Sequence, residues 1–219
     1  MRSFNGLPVP TSMEDLCDPS RMALLVYDMQ AGIAGQVRDG ARIVERAGRA
    51  LEAARGAGMR VAFTRHLSMP RSWMGTTQVR TAMAWQRTED PDAVRPWFLR
   101  DSPAWAIIPE LAPRPEEAVF DKLAMSAFEG TPLAFALHDC GVKALAIVGI
   151  ATEIGIEPTC RHATDLGFVS VVLEDGCGAG HHGAGQAAIE SMRFMGEVVL
   201  SDVDSFASLL ADRLPQRAR

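Results

Sequence analysis

Six segments of the chain are nearly continuous in apolar residues: 22–28, 59–66, 118–122, 143–150, 168–175 and 197–203. Runs of that length, rich in Val, Leu, Ile and Ala, read as strands buried on both faces of a sheet. Between them the apolar positions recur at helical spacing. In 38–57, for example, Ile43, Val44, Ala47, Leu51 and Ala54 share one face, and Gly56 and Gly58 close the helix. Further helices are predicted over 131–141, from the end of the fourth strand to near Gly167, over 183–195, and from about 204. Strands alternating with helices imply parallel pairing through right-handed crossovers. The predicted fold is therefore α/β, a doubly wound three-layer α/β/α sandwich on a mostly parallel six-stranded sheet, with 1–219 forming one domain.

Two segments break the pattern. Residues 1–20, rich in Pro, Ser, Asp and Gly, read as an irregular arm, and 67–117 as a long excursion with one short helix near 76–86. The excursion holds all four tryptophans, and loops of such length in α/β domains usually carry function.

Composition narrows the function. With 47% hydrophobic and 22% charged residues, the 219-residue chain can bury a full core. A net charge of −5, with no basic run, argues against nucleic acid as a partner. No apolar run approaches the ~18 residues of a membrane span, and the first twenty residues lack the apolar stretch of a signal peptide. Cys17, Cys140, Cys160 and Cys177 form neither a CxxC pair nor a tight cluster, so reduced thiols in a cytoplasm are expected.

In open parallel sheets, ligands bind beyond the carboxyl ends of the strands, near the point where the winding reverses. Four such ends carry suggestive residues: Asp28, Arg65–His66, Lys122 and the segment Ile150–Gly155. Asp28 alone could cap a turn, and Lys122 alone could be a solvated surface lysine. Their order and surroundings carry more. The segments "LLVYDMQAG", "DKLAMSAFEGTPLAFALHDCGVKALAIVGIAT" and "GIATEIGIEPTCRHATDLGF" follow one another as in a known group of enzymes. The chain resembles the isochorismatase-like hydrolase superfamily, also called the cysteine hydrolases, from about residue 22 to the last strand.

The resemblance implies a Rossmann-like sandwich, a homo-oligomer (dimer or tetramer), a small-molecule substrate and no cofactor. It implies that Asp28 transfers protons, that Lys122 is the cation beside it, and that the nucleophilic cysteine falls at Gly155. It also implies a non-proline cis bond after Ile150 that aims the Ala151 and Thr152 backbone at substrate, and Gln30 is expected to contact substrate as well. Glycine has no thiol, and Cys160 cannot substitute for one. Five helical positions turn it about 140° away and about 7.5 Å up the axis, where it reads as packing. Pro158 belongs in a first helical turn, so the helix is expected to start near Gly155 and leave that residue's N–H open to a ligand.

Isochorismatases in the superfamily also carry glycine at this position, and the resemblance to them implies acid-catalysed cleavage of a vinyl ether by Asp28. A substrate carboxylate paired with Lys122 would release Asp28 to hold its proton. The run Ala151-Thr152-Glu153 departs from the isochorismatase pattern and is typical of the amidase branches. Direct activation of water by Asp28 for C–N cleavage is thus the alternative, and a non-catalytic ligand-binding homologue is a third reading. His66 is expected to line the pocket, with Trp73 as an apolar wall. The metal-binding triad of the nicotinamidases has no counterpart in "RHLSMPRSW", and the pair in "GHHG" reads as an exposed loop, so no metal is expected.

Overall fold

The computed structural model describes residues 1–213. The expectation of one domain through Arg219 extends past them at its last positions.

The start of the chain departs from the predicted irregular arm. Strands β1 (Arg2–Phe4) and β2 (Leu7–Val9) form an antiparallel hairpin, followed by the one-turn helix α1 (Met13–Leu16). The turn is Asn5-Gly6, both at positive φ (49° and 78°), the pairing that two-residue hairpin loops favour.

The sheet begins with β3 (Met22–Tyr27), buried at every position, as its unbroken apolar run requires. The short α2 (Ala31–Ala34) and long α3 (Gly40–Gly56) lead to β4 (Arg60–His66). The excursion carries α4 (Thr76–Gln86), a helix with no buried residue. The chain returns as β5 (Ala118–Lys122), α5 (Leu133–Asp139) and β6 (Ala144–Ile150). A turn of π-helix at Thr152–Ile156 precedes α6 (Glu157–Asp165), with Pro158 in its first turn. Then follow β7 (Val169–Gly178), α7 (His182–Met195), β8 (Val198–Ser201) and α8 (Val203–Asp212).

All six strands of this sheet are parallel, in the order β5-β4-β3-β6-β7-β8. Two cores flank it. Ile43, Leu51, Phe206 and Leu210 from α3 and α8 pack on one face. Leu133, Leu137, Cys160 and Met192 from α5, α6 and α7 pack on the other. Helices on both faces make three layers, as predicted. The winding reverses between β3 and β6, so the crevice lies at their carboxyl ends.

Strand β7 runs to Gly178, three residues past its predicted end at 175, because a register shift lets Cys177 and Gly178 pair with Gly149 and Ile150. Glycine permits the extension: a Cβ on Gly176 would press on Val148, and one on Gly178 on Ile150. Among the described residues, no helix is long and apolar enough to cross a membrane.

Candidate active site

Asp28 follows the last residue of β3 and is buried, with a left-handed backbone (φ 47°) that turns its carboxylate across the strand ends. Thr64, buried on β4, donates from its hydroxyl to Asp28 Oδ1 at 2.7 Å and accepts the Asp28 N–H at 3.2 Å. Lys122, the last residue of β5, donates from Nζ to Asp28 Oδ2 at 2.7 Å and to the Ala124 carbonyl at 3.2 Å. The ammonium also lies 4.4 Å from the Tyr27 ring centroid. Three neighbouring strands thus build a buried ion pair in which both carboxylate oxygens accept a hydrogen bond. Burial of such a pair is tolerated when further hydrogen bonds accompany it, here from Thr64 to the carboxylate and from the ammonium to the Ala124 carbonyl.

Above the pair opens a cavity of about 280 Å³, with Asp28 and Tyr27 at its floor and Ile150, Ala151 and Ile154 on one side. The bond between Ile150 and Ala151 is cis, as expected. The opposite wall comes from the excursion and from β4: Trp85, Trp97, Phe98 and His66. The His66 ring meets Trp85 and Phe98 edge-on, at 6.0 and 5.6 Å between centroids. His66 therefore lines the cavity. Arg87, which ends α4 with φ 52°, reaches the same cavity. It forms no salt bridge among the described residues.

Several expected contacts are not made. Trp73 is 74% exposed and lies away from the cavity; Trp85 and Trp97, in the same excursion, supply the apolar wall instead. Gln30 is fully buried and spends its amide on structure. It donates to the carbonyls of His66 and Trp105 (3.0 and 2.9 Å) and accepts the His66 N–H (2.6 Å), tying the excursion to β4. The Thr152 hydroxyl donates to the Gly178 carbonyl at 3.1 Å, which leaves only its backbone for the expected role. Lys122 is not among the residues that line the cavity, and its ammonium is paired with Asp28; the cation at the cavity surface is Arg87.

Gly155 also differs from expectation. Its N–H is not open to a ligand but donates to the Ala151 carbonyl at 3.0 Å, because a π-turn precedes α6. Nor is the space before it empty, since the Tyr27 hydroxyl fills it. No cysteine takes part in this cavity. Cys160 is buried, and burial pushes its thiol up to about 12; Cys177 is buried too and its thiol is raised by the same cause. Packing is the role of Cys160, as predicted. His181, of the "GHHG" pair, accepts the Ala184 N–H at 3.2 Å and caps α7.

Burial, with the Lys122 charge adding to it, lowers His66 from its ordinary 6.5 to about 4. The imidazole is therefore neutral in the folded protein from pH 5 upward. The unfolded chain binds this proton at higher pH than the folded one, so stability is full above pH 6.5 and falls as pH drops toward 4. In urea titrations across that window, a His66→Leu variant is expected to lose less stability than the wild type. Equal losses would show that His66 titrates normally.

Comparison with known proteins agrees with this architecture. The family profile described as "Isochorismatase domain" matches residues 22–203. Ureidoacrylate amidohydrolase RutB of Serratia proteamaculans is 30% identical over 223 residues, covering 91% of this chain and 87% of that protein. The enzyme of the same name from Methylobacterium radiotolerans is 28% identical, covering 97% and 88%. Among solved structures, a cysteine hydrolase from Pseudomonas syringae pv. phaseolicola superposes with a TM-score of 0.75 at 22% identity, covering 89% of this chain and 94% of that one.

Proposed function

The chain belongs to the isochorismatase family of hydrolases, and on that premise we propose that it hydrolyses a C–N bond of a small anionic amide or ureide without a thiol nucleophile. One observation carries this reading: the Asp28 carboxylate, held by Lys122 and Thr64, floors a cavity that no cysteine lines. The relatives named as ureidoacrylate amidohydrolases support the bond type. Cleavage of a vinyl ether, favoured on the sequence alone, needs a protonated Asp28. Both oxygens of that carboxylate already accept hydrogen bonds, one from an ammonium, which suits a group that takes a proton rather than one that gives it.

In the proposed reaction Asp28 takes a proton from water as the water oxygen attacks the substrate carbonyl carbon. The tetrahedral adduct collapses, the C–N bond breaks, and the proton held by Asp28 passes to the leaving nitrogen. Lys122 compensates the charge on Asp28 through the cycle. Gly155, at the position where the family resemblance puts a cysteine, contributes no reacting atom. The aromatic wall excludes water from the rest of the substrate.

Arg87 is the anchor for the substrate's negative charge. Replacing it with Asn, which tolerates the left-handed backbone there, is expected to raise KM for a carboxylate-bearing ureide by about tenfold or more and leave kcat unchanged. An uncharged amide should show no change in KM. Steady-state kinetics on N-carbamoylglycine and on its amide test this directly. An equal effect on both substrates would remove Arg87 from recognition.

A further inference from the structure

Gly155 has no backbone reason to be glycine. Its φ lies outside the left-handed region, and it sits in a helical turn that alanine would accept. The reason is a neighbour: a Cβ at this position would overlap the hydroxyl, Cζ and Cε1 of Tyr27. Tyr27 is the last residue of β3, is fully packed, and is the single tyrosine of the chain. Its hydroxyl donates to the Met125 carbonyl, and both residues line the floor and wall of the cavity beside Asp28.

We propose that the Tyr27 hydroxyl is the neutral hydrogen-bond donor of the active site, and that residue 155 is glycine to make room for it. Burial, and after it the adjacent Asp28 carboxylate, raises the phenol well above its ordinary range, so the group keeps its proton at any pH where the protein works. A phenol so held is a poor nucleophile and a permanent donor. Its one hydrogen goes to Met125 O. An amide or ureide carries both a carbonyl and an N–H, so it can insert between them. The substrate carbonyl then accepts from Tyr27, and the substrate N–H donates to Met125 O. As water adds, the carbonyl oxygen gains negative charge facing the Tyr27 O–H, which strengthens that bond without proton transfer. A vinyl ether has no N–H to satisfy Met125 O. The site therefore selects C–N substrates with a free N–H over their fully N-alkylated analogues. This deepens the proposed C–N hydrolysis and rests on it for the reaction step alone.

Three readouts test the proposal, two of them without turnover. Thermal melts of Gly155→Ala, Tyr27→Val and the double variant read the packing. Gly155→Ala alone is expected to lower Tm by about 5 °C, and to cost little more in the Tyr27→Val background. A Gly155→Ala protein that melts with the wild type overturns the claim that Tyr27 requires glycine. In protein labelled with [ζ-13C]tyrosine, the one resonance is Tyr27, and saturating N-carbamoylglycine is expected to shift it. A resonance that stays in place while tryptophan fluorescence reports binding overturns the donor role. Finally, Tyr27→Phe keeps the ring and is expected to lower kcat about 100-fold with KM within about threefold. Retention of kcat within about twofold would overturn the catalytic part. A wild type that turns over no ureide would remove the proposed function while the melts and the resonance still judge the Tyr27 assignment.

Discussion

Replacing Asp28 with Asn is expected to lower kcat/KM by about a thousandfold, within the range found when a positioned general base is lost. The amide is nearly isosteric and can still accept from Thr64, so the strand ends stay in register. What it loses is the capacity to take a proton from water. The same change leaves Lys122, with its ammonium excluded from solvent, facing a neutral partner, so a fall in Tm accompanies the loss of activity. Circular dichroism at a temperature well below the melt separates the two effects. A folded Asp28→Asn protein with near-wild-type turnover would remove Asp28 from the chemistry.

The second large effect concerns stability. Lys122→Met keeps most of the side-chain volume but strands the buried Asp28 carboxylate without its cation. Breaking a buried pair from one side costs about 3–5 kcal/mol, which in a chain of this size lowers Tm by about 10 °C. The Asp28→Asn/Lys122→Met double variant removes both charges and is expected to regain most of that loss. Urea denaturation of the four proteins forms the cycle. A Lys122→Met variant as stable as the wild type would mean that the ion pair is not formed in solution.

The sheet and its helices were legible because burial on both faces writes an unmistakable pattern. Every residue of β3 and β6 is buried, and their apolar runs end where the strands end. The hairpin at the start was missed because Phe4, Leu7 and Val9 are exposed and give no buried alternation. Its one local signal is Asn5-Gly6 between short extended segments. The extra residues of β7 were missed for a different reason. "EDGCG" looks like a turn, and only the close approach of Val148 and Ile150 makes glycine the strand residue there.

At the site, the placement of Asp28, Lys122 and His66 is legible because a charged or polar residue that ends an apolar run falls at the rim of the sheet. The roles expected of Asp28 and Lys122 come from the family resemblance alone. The walls are not legible, since the excursion has no period from which to tell Trp73, away from the cavity, from Trp85 and Trp97, which line it while staying partly exposed. Gln30, expected to contact substrate, instead makes three hydrogen bonds that hold the excursion in place. In the sequence, Tyr27 is one more residue of the apolar run 22–28. Its partnership with Gly155 spans more than a hundred positions and exists only once β3 and the turn before α6 are side by side. For that reason installing a cysteine at position 155 does not by itself rebuild a thiol site, because the new side chain meets the Tyr27 ring.

In the proposed reaction, water hydrolyses the ureide without a covalent intermediate. The most direct test is acid-quenching the wild-type protein during turnover of N-carbamoylglycine and measuring product and intact protein mass in the same samples. The predicted result is linear product formation from the first turnover, with protein of unmodified mass at every time point. A burst of product accompanied by a carbamoyl or acyl adduct on the protein, or no product at all, would contradict it.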